Sequence, residues 1–312
     1  MRVAVLMSTY NGELFIGDQV RSILMQLPEN GRLLVRDDGS DDSTVSQIEA
    51  FGDSRISVLR GENIGFARSF LWLLMKVPAD IDMVMFSDQD DVWLPDKISR
   101  AWSSLMPFND RPALYCSAQT LVDASLRPMQ ITPPWPRGPS FSGALSENIV
   151  TGCTAALNQK ALGLLQCAGI PKGVHFHDWW LYLVVSAFGT VVVDDQPSLL
   201  YRQHGKNLIG HGFGYFGRQI QIVRFLLRND WVGIMLKQVA ALKRCYGHQL
   251  GVEQVALLEK NFCVGTDGAW PRWSMILGKF RWRQTLLQEA LFRGLLGMYR
   301  LRLWPLPGKR LK

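Results

Sequence analysis

Asp88, Asp90 and Asp91 crowd into the stretch Phe86-Ser87-Asp88-Gln89-Asp90-Asp91-Val92-Trp93, directly after the apolar run Met83-Val84-Met85-Phe86. An apolar run that ends in acids reads as a buried strand delivering hard oxygen ligands to the rim of a sheet. Such carboxylates suit Mg²⁺ or Mn²⁺, ions that commonly bridge an acid or two and a substrate diphosphate. Three other polar clusters follow apolar runs in the same way. Ser8-Thr9-Tyr10-Asn11 follows Val3-Ala4-Val5-Leu6-Met7, Asp37-Asp38-Gly39-Ser40 follows Leu33-Leu34-Val35, and Glu62-Asn63 follows Ile56-Ser57-Val58-Leu59. One such loop means little, because Asp-Gly-Ser is an ordinary turn and helix cap. Four at the carboxyl ends of successive strands make a site, since that edge is where open α/β sheets bind ligands.

The elements that position these loops alternate. Helical periods run over residues 14–27, where Pro28 stops them, from Ser40 or Asp42 to about Phe51, and over residues 64–77. This βαβαβαβ order predicts a parallel, doubly wound α/β sheet. Residues 111–204 carry shorter strands, at 113–116, 191–193 and 199–201. The proline-rich loop 133–139 reads equally as a mobile flap or a rigid connector. Residues 215–301 read as helices with broad apolar faces, and residues 305–312 as a frayed tail.

With 312 residues and 47% hydrophobic content, the chain can bury one large core or two modest ones. Five cysteines without C-x-x-C spacing favour neither a zinc site nor a disulfide framework, so reduced and mostly buried thiols are expected. The start of the chain lacks the long apolar region and cleavage site of a signal sequence, which leaves cytoplasmic residence as the simpler reading. The net charge of +7 is unevenly spread. Residues 205–312 hold 18 Lys and Arg against 5 Asp and Glu, which leaves 16 against 22 in residues 1–204. The basic third also contains Trp231, Trp270, Trp273, Trp282 and Trp304. Cations mixed with indole suit an anionic membrane surface, and no stretch is apolar for long enough to span one. Nucleic acid is disfavoured as a partner, because no recognition motif accompanies the charge.

Common nucleotide folds fail on the letters. Tyr10-Asn11-Gly12-Glu13-Leu14 does not supply G-x-G-x-x-G, and Asp18-Gln19 stands where a P-loop needs Lys and Ser or Thr. Asp88-Gln89-Asp90-Asp91-Val92 fits the D-x-D-x-[TV] pattern of haloacid dehalogenase-type phosphatases, but three βα units precede it here and that class places it after the first strand. A membrane-bound glycan-binding protein without activity is a further alternative, against which the intact acids argue.

Seven segments together resemble the successive motifs of family 2 glycosyltransferases with a GT-A fold, in their bacterial rhamnosyltransferase-like branch. They are Ser8-Thr9-Tyr10-Asn11-Gly12, the loop from Arg36 through Thr44, Glu62-Asn63-Ile64-Gly65-Phe66-Ala67, the stretch from Phe86 through Lys97, Asn148-Ile149-Val150-Thr151-Gly152-Cys153-Thr154, His177-Asp178-Trp179-Trp180, and Tyr201-Arg202-Gln203-His204. The resemblance implies a mixed, Rossmann-like sheet flanked by helices over a catalytic domain of residues 1–210. The helical, basic region 211–312 would then associate with the membrane.

The resemblance also implies roles. Thr9, Tyr10, Asn11, Asp37 and Asp38 would hold the base and ribose of a nucleotide-diphospho-sugar, with Asn63 on the same rim. Asp88 and Asp90 form the D-x-D element, Asp90 being the more direct ligand of Mg²⁺ or Mn²⁺ and Asp91 a third acid. Gly152 would admit the donor sugar, Asp178 would be the general base of an inverting transfer, and His204 would be a metal or phosphate ligand. Trp179 or Trp180 could stack on a sugar, and could equally belong to the core. The implied donor is dTDP-L-rhamnose, with a UDP-hexose as the alternative. The implied acceptor is a cell-surface glycan or glycolipid such as lipopolysaccharide core or lipid-linked O-antigen, met at the inner face of the cell membrane.

Overall fold

The computed structural model describes residues 1–204, 230–265 and 269–303. It divides into two compact units. The first comprises Met1–Pro134, Asn148–Ile170 and Phe176–His204, and the second Trp135–Glu147, Pro171–His175 and Gly205–Lys312.

The first unit is built on β1 (Val3–Thr9), α1 (Ile16–Leu24), β2 (Arg32–Asp37), α2 (Thr44–Glu49), β3 (Ile56–Arg60), α3 (Phe66–Lys76) and β4 (Met83–Ser87). β5 (Val92–Trp93), α4 (Lys97–Leu105), β6 (Ala113–Val122) and β7 (Pro128–Ile131) follow. In the second unit lies α5 (Phe141–Ala144), and the first is completed by β8 (Ala156–Asn158), α6 (Gln159–Cys167), α7 (His177–Phe188) and β9 (Thr190–Arg202). The strands run β3-β2-β1-β4-β8-β6-β9-β5, with β7 beside β6. β1 to β4 are mutually parallel, as the βαβ order predicts, and β8 then enters antiparallel between β4 and β6. The sheet is therefore mixed. Val3 through Met7 and Met83 through Phe86 are buried without a break, so both faces are covered, which is why β1 and β4 read as apolar runs and not as alternating strands.

Register carries the site. β1 pairs with β2 so that Thr9 lies beside Asp37, and with β4 so that Met7 lies beside Ser87. The short strands expected at 191–193 and 199–201 are one strand, β9, whose pairing with β6 shifts register around Ala118. Asp194 still pairs with Ser117, and the shift absorbs Asp195 and Gln196, polar residues that divide the two apolar runs in the sequence. At the far edge Val92 of β5 opposes Leu200 of β9, and continuing this antiparallel register brings Asp90 opposite Arg202.

In the second unit α8 (Trp231–Tyr246) and α9 (Val252–Asn261) precede a hairpin of β10 (Phe262–Val264) and β11 (Ala269–Pro271), followed by α10 (Trp273–Leu277) and α11 (Leu286–Arg300). The hairpin lies within the region expected to be helical. The expectations for residues 215–229, Trp304 and residues 305–312 lie outside the described residues. Residues 135–147 pack with this unit and not with their sequence neighbours, so packing does not follow a single division at residue 210. Arg137 N donates to Gln284 Oε1 at 2.7 Å, Ser146 Oγ to the Trp282 carbonyl at 2.9 Å, and Gln284 N to Glu147 Oε2 at 2.9 Å. Arg137 thus anchors the end of the proline-rich loop. Glu289 accepts from the backbone N–H groups of Trp282 and Arg283 at 2.8 Å each, and from Arg293 Nε at 2.6 Å. Trp282 and Arg283 are accordingly structural and buried. No described helix is long and apolar enough to cross a membrane.

Candidate active site

The loops after β1 and β2 organise each other. Asp37 accepts four hydrogen bonds: from Thr9 Oγ1 at 2.9 Å, Ser40 Oγ at 2.6 Å, Ser40 N at 2.8 Å and Gly39 N at 3.1 Å. Gly39 sits at φ +83°, a conformation that favours glycine and lets the loop curl around that carboxylate. Asp38 is also buried, ion-paired with the Arg36 guanidinium, whose Nη2 donates to the Glu62 carbonyl at 3.0 Å. The loops after β2 and β3 are thereby tied together. Both acids of this pair hold the rim in shape, whereas the Tyr10 ring is half exposed. Asn11 adopts the left-handed conformation at φ +48°, donates from N to Ser40 Oγ at 2.9 Å and accepts at Oδ1 from Asp41 N at 3.0 Å. Asn63 is exposed and accepts from Gly65 N at 3.1 Å, an Asx turn that leads into α3.

Gln89 joins the loop after β4 to the loop after β1. Its amide accepts from Tyr10 N at 2.9 Å and donates to the Tyr10 carbonyl at 3.1 Å. Beneath it Gln19 of α1, a polar residue in the buried stripe of that helix, donates to Ser87 Oγ at 2.7 Å and to the Asp88 carbonyl at 3.1 Å. Neither glutamine stood out in the sequence, although the polar Gln19 among Ile16, Val20 and Ile23 was a visible break in the pattern.

The acids fall into two contacts. Asp90 Oδ2 lies 2.7 Å from His204 Nε2, so two residues read separately as metal ligands meet across 114 positions of chain. His204 also packs on Phe15, with ring centroids 5.0 Å apart. Asp88 and Asp91 instead converge with Cys153, one ligand atom of each lying within 4.8 Å of the others. Burial, then the charges of Asp91 and Asp88, pushes the Cys153 thiol well above the ordinary thiol range, which keeps it protonated. Arg202 locks the arrangement: its N donates to Asp91 Oδ1 at 3.1 Å and its Nε to the Asp90 carbonyl at 2.8 Å.

Negative charge is concentrated here beyond what the neighbouring cations offset. Burial, then Asp90 and Asp178, pushes the Asp88 carboxyl up to about 7. Burial, then Asp90 and Asp88, pushes Asp91 well up. The nearby Lys97 is fully buried, donates to Ser198 Oγ at 2.9 Å and is lowered to about 8 by that burial. A desolvated group of hard oxygen donors with surplus negative charge suits a divalent cation of the Mg²⁺ or Mn²⁺ type.

Asp178 opens α7, where the N-terminal backbone dipole favours a carboxylate. Its Oδ1 accepts from Trp179 N at 2.7 Å, and Asn148 and the Gly152 backbone also favour its charged form, yet burial outweighs these and raises it to about 6. His177 is stacked on Phe70 at 4.1 Å and flanked by Phe86 at 5.6 Å. Burial lowers it to about 3, so the ring is neutral. Trp179 and Trp180 are buried in the core, which settles the choice between stacking on a sugar and packing.

A Cβ at Gly152 would lie 2.7 Å from His177 Nε2, so the missing side chain makes room for the imidazole beside Asp178. Gly152→Ala is therefore expected to cost about 1–3 kcal/mol of stability by overpacking. A urea-denaturation midpoint equal to the parent's would show that the ring finds another rotamer despite the phenylalanines around it.

The chain matches the model of glycosyl transferase family 2 over residues 4–163. It is 29% identical to the dTDP-rhamnosyl transferase RfbG of Shigella flexneri, over 72% of this chain and 80% of that protein. It is 28% identical to the UDP-Glc:alpha-D-GlcNAc-diphosphoundecaprenol beta-1,3-glucosyltransferase WfgD of Escherichia coli, over 59% of this chain and 69% of that protein. The fold is that of TarS 1–349 from S. aureus solved in complex with UDP-GlcNAc, with a TM-score of 0.54 at 13% identity over 82% of this chain and 78% of that chain.

Proposed function

The chain belongs to glycosyl transferase family 2, and we propose that it transfers L-rhamnose from dTDP-L-rhamnose, with inversion, onto a lipid-linked or lipopolysaccharide glycan. One observation carries this reading. Asp178 and Asp88, from motifs ninety positions apart in the sequence, lie close enough for the charge of one to raise the other. A proton acceptor and a diphosphate-side acid then share one rim.

In the proposed reaction Thr9, Tyr10, Asn11 and Asn63 line the nucleotide side, with Asp37 and Asp38 holding their loops in shape, and Gly152 leaves room for His177 beside Asp178 and not for the donor sugar. Asp178 takes the proton of the acceptor hydroxyl as its oxygen bonds the anomeric carbon from the face opposite the diphosphate. The anomeric C–O bond breaks, and its electron pair leaves on the diphosphate oxygen. A divalent cation held by Asp88 and Asp90 with His204 would neutralise charge on the departing diphosphate. Arg202 keeps Asp90 and Asp91 in place, and Gln89 ties their loop to the Tyr10 backbone.

The name of RfbG supports dTDP-rhamnose, and that of WfgD favours a second reading in which a UDP-hexose is the donor. WfgD's diphosphoundecaprenol acceptor supports work at the inner membrane face. A thermal-shift panel of dTDP-rhamnose, UDP-glucose and GDP-mannose, with and without Mn²⁺, separates the donors. The largest rise is expected for dTDP-rhamnose with Mn²⁺, because ligands that bind only the native state stabilise it in proportion to their affinity. A larger rise with UDP-glucose would transfer the assignment to the second reading.

A further inference from the structure

We propose that the outward face of α11 is a docking surface for an anionic lipid bilayer. This rests on the reading of a membrane-borne acceptor for its purpose only. The face itself stands on burial and charge within the second unit.

α11 is oriented unlike an ordinary surface helix. Leu286, Leu287, Ala290, Gly294, Met298 and Leu301 are exposed, Leu286 by 73% and Leu301 by 58%. At the helical period these positions, which end one residue past α11, fall within about a third of its circumference, and none is charged. The opposite face buries Phe292, Leu295 and Leu296, together with the carboxylate of Glu289. Surface helices of soluble proteins bury one apolar face in the same way but turn charge outward, whereas α11 is apolar on its outer face as well.

The apolar arc continues onto the segment packed against it. Arg293 donates from Nη1 to the carbonyls of Ile276 at 2.9 Å and Gly278 at 2.6 Å, and from Nη2 to that of Phe280 at 2.6 Å, which fixes α10 and its following turn on α11. There Leu277 is 75% exposed and Trp273 is 45% exposed, with the Arg300 guanidinium 5.9 Å from the Trp273 ring centroid.

Charge selects the occupant. The sequence from 269 to 303 has seven Lys and Arg and one acid, and that acid, Glu289, is consumed internally by Trp282, Arg283 and Arg293. Arg272, Lys279 and Arg302 are exposed. A second copy meeting this face by two-fold symmetry would oppose like charges, whereas anionic headgroups meet them with opposite sign. An apolar arc flanked by Trp and cations matches the pattern of interfacial helices.

The test is co-sedimentation of the full chain with vesicles of phosphatidylcholine alone and of phosphatidylcholine with phosphatidylglycerol. Binding to the anionic vesicles is expected to be stronger by at least about tenfold, and the double variant Leu287→Glu/Met298→Glu to lose about tenfold or more. Gly294→Leu is expected to bind more tightly, because a Cβ there meets nothing within 4 Å and the side chain extends the arc. A gain in binding with a urea-denaturation midpoint no lower than the parent's, and no sedimentation without vesicles, separates it from a folding defect. Unchanged vesicle binding in the double variant would overturn the proposal. So would a parent dimer, seen by sedimentation velocity, that the double variant abolishes. Hydrolysis of dTDP-rhamnose without vesicles, run on the same proteins, separates failure of docking from failure of the catalytic reading.

Discussion

Asp178→Asn is expected to keep donor binding and to lose turnover by a factor on the order of 10² or more. The amide preserves the shape and can still accept from Trp179 N, but it cannot take up a proton from the acceptor hydroxyl. Burial raises Asp178 to about 6, so the parent's turnover is expected to fall as pH drops through about 6, a limb absent from the residual activity of the variant. Stability should move the other way. A carboxyl raised above its ordinary 3.8 contributes stability that is fully present below that value and is lost as pH rises through about 6. Asn carries no such loss, so the variant should be more stable than the parent at pH 7 and level with it near pH 4. Turnover within a few fold of the parent would remove Asp178 as the base. Lower stability at pH 7 would mark it as a structural acid.

Asp90→Ala is expected to abolish the part of nucleotide affinity that depends on Mn²⁺ and to leave the metal-free affinity in place. The carboxylate lies 2.7 Å from His204 and is the largest charge acting on Asp88 and Asp91, so the variant removes one hard ligand and frees another from its partner. Titration calorimetry of dTDP with and without Mn²⁺ reads the difference directly. Relief of repulsion among three acids should make the variant's fold no weaker than the parent's, which separates loss of a ligand from loss of structure. An affinity that still rises with Mn²⁺ would shift the ion to Asp88 and Asp91 beside Cys153.

Much of this rim was readable in the letters, for a local reason. Interior parallel strands must be apolar on both faces, so β1, β2 and β4 announce themselves, and the polar residues that end them must lie at one edge. Thr9, Asp37 and Asp88 follow from that alone. The family resemblance then added Asp178 and His204 to them.

What the sequence by itself determined is the strand-helix alternation, the edge that carries the chemistry, and the acids on it. Only the tertiary structure decided which acid meets which partner. Asp90 reaches His204 because β5 pairs antiparallel with β9, and Asp88 and Asp91 reach Cys153 because β8 inserts between β4 and β6. Those registers depend on packing between distant segments and leave no local period. The same holds for Gly152, whose missing Cβ matters through His177 on another element, and for α11. A helical period reveals an apolar stripe, but only the packed unit shows whether that stripe faces the core or the outside.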